Sequence, residues 1–64
     1  MASELRFTWR GRAIVITRHT VEHPPGYTWI SVDGVQYFLT SDTRIRTRGE
    51  VRRRALEFLL ERFG

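Results

Sequence analysis

The sequence predicts an α+β domain of ββββα order, in which two consecutive antiparallel hairpins form a sheet and one C-terminal helix packs on a face. Three observations predict it. Two strand-like runs, 4–9 and 13–19, flank Arg10-Gly11, and two more, 27–32 and 35–40, flank Asp33-Gly34. The string Thr47-Arg48-Gly49-Glu50 then opens the one stretch whose apolar residues recur at helical spacing.

In the first run Leu5, Phe7 and Trp9 alternate with polar residues, the period of a strand with one buried face. If Arg10 and Gly11 form a two-residue loop, Phe7 falls opposite Ile14 and Leu5 opposite Ile16, so that apolar side meets apolar side. The outer side then carries Arg6, Thr8, Ala13, Val15 and Thr17. Residues 21–26 (VEHPPG) read as a loop, because proline removes a donor and drives the preceding residue out of the helical region. Asp33-Gly34 favours a type I′ turn, which requires positive φ at both positions. Its register puts Val32 opposite Val35, Ile30 opposite Tyr37 and Trp29 opposite Phe38. One side of this second hairpin therefore holds Thr28, Ile30, Val32, Val35, Tyr37 and Leu39. The other holds Tyr27, Trp29 and Phe38 beside Ser31 and Gln36.

Thr47 and Glu50 match a capping box, which starts the helix near residue 48 and lets it run to about 63. Val51, Ala55, Phe58, Leu59 and Phe63 form its stripe, broadened by Leu56 and Leu60. Glu50, Arg53, Arg54, Glu57 and Glu61 occupy the opposite face, where Glu50 and Arg54 have the favourable i,i+4 orientation.

The chain has 64 residues and no Cys, so neither a disulfide nor a thiolate metal site supports so small a core. No composition break suggests a linker, and residues 1–64 read as one domain. The longest wholly apolar run, Ala13 to Ile16, is far short of a membrane span of about 20 residues. No secretory signal pattern opens the sequence, so a cytoplasmic location and no membrane partner are expected.

His19-Thr20-Val21-Glu22-His23 spells H-x-x-E-H, the string with which some peptidases hold zinc on one helix face. Here it follows a strand pattern and runs into Pro24, so it reads as a polar loop and no metal is expected. Without Cys or Lys there is no thiolate or amine nucleophile, and no Gly-rich phosphate loop is present. The expectation is a non-enzyme without cofactors.

Charge is more informative. All 11 basic residues are Arg, against 7 acids, for a net charge of +4. Residues 1–43 are neutral overall, whereas 44–64 hold 7 Arg and 3 acids. Cations at a helix N-terminus oppose its dipole, at a cost of about 0.3–1 kcal/mol each. Grouped there with amide donors, guanidinium groups form a site suited to phosphate. Arg44, Arg46, Arg48 and Arg52 are the candidate anion-binding set, with DNA or RNA as the polyanion. The competing expectation is a protein-interaction adaptor or inhibitor that docks an acidic protein partner. A sheet laid in a major groove has only Arg6 on its outer side to read bases. Trp9, Trp29, Tyr27 and Tyr37 fall in strand patterns and are assigned to packing before base stacking.

One helix covers only one side of a sheet, while the second hairpin is apolar on both. Trp29, Phe38, Leu56, Leu60 and Phe63 are therefore expected at an interface. A homodimer is the expected cover, since two-fold pairing is the commonest oligomer symmetry.

Overall fold

The computed structural model describes residues 2–19, 27–41, 44, 45 and 47–64, the side chains of Ala2, Ser3 and His19 excepted. The expected ββββα architecture is what the chain adopts: β1 (Ala2–Trp9), β2 (Arg12–His19), β3 (Tyr27–Val32), β4 (Val35–Thr40) and α1 (Arg48–Phe63). The four strands form one antiparallel sheet in the order β1-β2-β3-β4, with β1 and β4 at its edges. Both hairpin turns lie at one end, and α1 starts from the other.

Positive φ at both residues of each turn sets the hairpins. Arg10 has φ 49° and Gly11 76°, while Asp33 has 51° and Gly34 86°. These pairs match the right-handed twist of the strands they join. Leu5 pairs with Ile16 and Phe7 with Ile14, as the alternation requires. The ladder also continues outward to Ser3–Arg18 and Ala2–His19. Backbone pairing does not need an apolar side chain, so β1 begins two residues before the alternating pattern does.

In the second hairpin Val32 pairs with Val35, Ile30 with Tyr37 and Trp29 with Phe38. Beyond that the register shifts, and Thr28 pairs with Thr40 instead of Leu39. Leu39 is the extra residue of a bulge. It still packs against the core.

Ile14, Ile16, Ile30 and Val32 from the two central strands meet Ala55 and Leu59 of α1 to form the core. Each buried aliphatic side chain contributes about 1.5–3 kcal/mol. Leu5, Phe7, Tyr37, Val51 and Phe58 line its margin. The helix begins where Thr47 Oγ1 accepts the Glu50 N–H at 3.2 Å. It ends where the Gly64 N–H reaches the carbonyls of Leu59 and Leu60. At its start Arg48 donates to the Glu4 carbonyl of β1 (3.3 Å). Near its end Phe58 and Phe63 sit 5.7 and 5.9 Å from the Tyr37 ring of β4. No helix of the described chain is long and apolar enough to cross a membrane.

Candidate polyanion interface

Between β4 and α1, Ile45 is turned into the protein. It is 5% exposed, and the Arg18 guanidinium of β2 donates to its carbonyl. A single apolar residue between Arg44 and Arg46 is the pattern of an extended segment with one side inward.

With Ile45 turned in, Arg44 is turned out. Arg44, Ile45, Glu50, Arg53 and Arg54 line an open cleft of about 420 Å³ beside the first turns of α1. Arg44 and Arg53 are exposed and Arg54 is half-buried. Glu50 offsets one of the three cations.

Of the four arginines singled out by sequence, the three described ones make different contacts. Arg44 lines the cleft. Arg48 and Arg52 face β1, Arg48 through the Glu4 carbonyl and Arg52 through a guanidinium 4.9 Å from the centre of the Phe7 ring. Arg46 lies outside the described residues. Arg53 and Arg54, assigned by sequence to a self-neutralising helix face, are the residues that join Arg44. Arg44 lies beside the helix at this cleft, and periodicity within the helix carries no trace of that.

Thr47 already accepts from Glu50 through its hydroxyl and from Val51 through its carbonyl. The guanidinium groups at this end are of the kind that makes charge-assisted and often bidentate bonds to phosphate oxygens.

The five residues expected at an interface also separate. Trp29 and Phe38 are on the sheet face away from α1. Leu56 and Phe63 pack at the margin of the core, and Leu60 is 53% exposed on the helix. The sheet stands between the two groups, so no single contiguous surface contains them all.

The H-x-x-E-H string starts at the last residue of β2, and its other residues lie outside the described chain. Among the described residues no three His, Asp or Glu come together as a metal site. No protein-family model, curated protein or solved structure matches this chain.

Proposed function

We propose that this chain is a small, non-catalytic binding module of the cytoplasm that contacts the phosphate backbone of a nucleic acid through arginines at the start of α1. The observation that carries the reading is the meeting of Arg44, Arg53 and Arg54 around one open cleft. Three arginines from two separate segments line that cleft, whose volume of about 420 Å³ is large enough for a phosphate and its sugar. Arg48 and Arg52 stand on the next side of the same helix end and extend the positive field toward β1. Phosphate contacts of this kind position a duplex or strand without reading its bases.

The test is a titration of labelled duplex and single-stranded oligonucleotides at two salt concentrations. Each phosphate contact on B-DNA contributes about 0.9 to the slope of log K against log salt. Arg44→Ala with Arg53→Ala, both exposed positions, lowers that slope by about 1.8 and weakens binding at low salt. Arg52→Ala weakens it less, because its guanidinium is partly committed to Phe7. Equal affinity for the wild type and the double variant, or no binding of any oligonucleotide at low salt, defeats the reading.

A further inference from the structure

The sheet face away from α1 differs in chemistry from the rest of the molecule. Arg12 and Arg18 project to the helix side, where Arg12 lies 5.0 Å from the Phe63 ring and Arg18 holds Ile45. The arginines of α1 belong to that side too. On the opposite face the charged side chains among the described strand residues are Glu4 and Arg6, and they neutralise each other in an ion pair of 2.9 Å. On a chain of net charge +4, the described strand residues of this face therefore carry no net charge.

That face is built around aromatic rings. Phe38 stands edge-on between Trp29, at 5.3 Å, and Tyr27, at 5.5 Å. It remains 46% exposed although both neighbours touch it. Val15 and Thr17 of β2 and Ser31 of β3 continue the surface with short side chains. Mutual edge-on contacts hold the rings, so docking them costs little rotamer entropy.

We infer that this outer face seats a second copy of the chain, sheet against sheet about a two-fold axis, with both helices on the outside. Charge favours that occupant: a phosphate backbone gains no electrostatic attraction from a neutral surface, whereas two copies of a cationic chain approach with least repulsion there. Size agrees. Four strands about 4.8 Å apart and 6–8 residues long present a face of about 400–500 Å² in projection. Two pleated faces of that size bury about 1,000 Å² in total, the threshold of a specific interface. Sheets that pack this way stand about 10 Å apart. The pairing leaves both arginine clefts open to solvent.

Sedimentation without nucleic acid, from micromolar to submillimolar concentration, tests the inference apart from the proposed function. The wild type sediments at about twice the 7.6 kDa chain mass. Phe38→Glu and Ser31→Arg each return it to the single-chain mass with far-UV circular dichroism unchanged. Two variants are used so that a folding defect in one leaves the other to decide. Leu60→Glu, on the helix side of the sheet, leaves the dimer intact. A wild type at the single-chain mass throughout overturns the inference, because the face is then covered by something else. So does a dimer that survives both outer-face variants, or one that only Leu60→Glu dissociates.

Discussion

Asp33 shows how much one turn residue decides. Its φ of 51° is tolerated better by Asp than by most side chains. Its Oδ1 accepts the Ala13 N–H at 2.9 Å, its Oδ2 pairs with Arg12 at 3.3 Å, and its own N–H donates to the Ala13 carbonyl. One side chain thereby closes the second hairpin and ties it to the first. Asp33→Asn keeps the φ preference and an oxygen for Ala13, and loses an exposed ion pair worth less than about 1 kcal/mol. Asp33→Ala loses the acceptor and the preference together, and costs about 1–2 kcal/mol in urea unfolding. Equal losses for the two variants would show that the ion pair, not the turn, holds the hairpins together. The sequence identified the turn; the bonds to β2 depend on a partner 20 residues away.

The complete preference for Arg over Lys acquires a physical reason at the same scale. Four guanidinium groups lie over aromatic rings: Arg10 over Trp9, Arg12 over Phe63, Arg52 over Phe7 and Arg62 over Tyr37, all within 5.0 Å of the ring centre. A planar, weakly hydrated guanidinium stacks in this way better than an ammonium group does. Arg52→Lys therefore lowers stability by about 0.5–1 kcal/mol with no change in net charge, measured by thermal unfolding. An unchanged melting temperature would mean that the Phe7 contact contributes nothing.

At the scale of elements, α1 is where sequence and structure agree most closely, at 48–63 in both. Start and stop are local chemistry: the Thr47 hydroxyl on the Glu50 amide and Gly64 on the last carbonyls. Thr47→Ala removes the cap and costs about 1 kcal/mol, a fall in Tm of about 4–8 °C for a domain this size. Thr47→Asp restores most of it, and a failure to restore would assign the loss to the linker. The strands were legible because both turns announce themselves. The bulge at Leu39 was not, since Thr28 pairs with Thr40 through a one-residue slip that no alternation in 35–40 records.

At the scale of the whole molecule, the core is six residues from two strands and one helix, and Leu59 is fully buried in it. Leu59→Ala costs about 2–5 kcal/mol. A lone core in a chain this short supplies about 3–5 kcal/mol at most. The variant therefore loses cooperative thermal unfolding, and a sharp transition near that of the wild type would show that Leu59 is not central. The inferred association would add to so small a total by mass action. The Tm of the wild type accordingly rises with protein concentration, and Phe38→Glu abolishes the rise.

The sequence alone determined what is local in this protein: the hairpin turns, the strand faces, the ends of the helix and the concentration of positive charge after residue 43. These follow from φ preferences, side-chain alternation and capping, which act over a few neighbouring residues. Tertiary structure decided which arginines share a space. Ile45 is buried, and its neighbour Arg44 shares a cleft with Arg53 and Arg54, while Phe7 and the Glu4 carbonyl engage Arg52 and Arg48. It also separated Trp29 and Phe38 from Leu60, because one helix can cover only one face of the sheet.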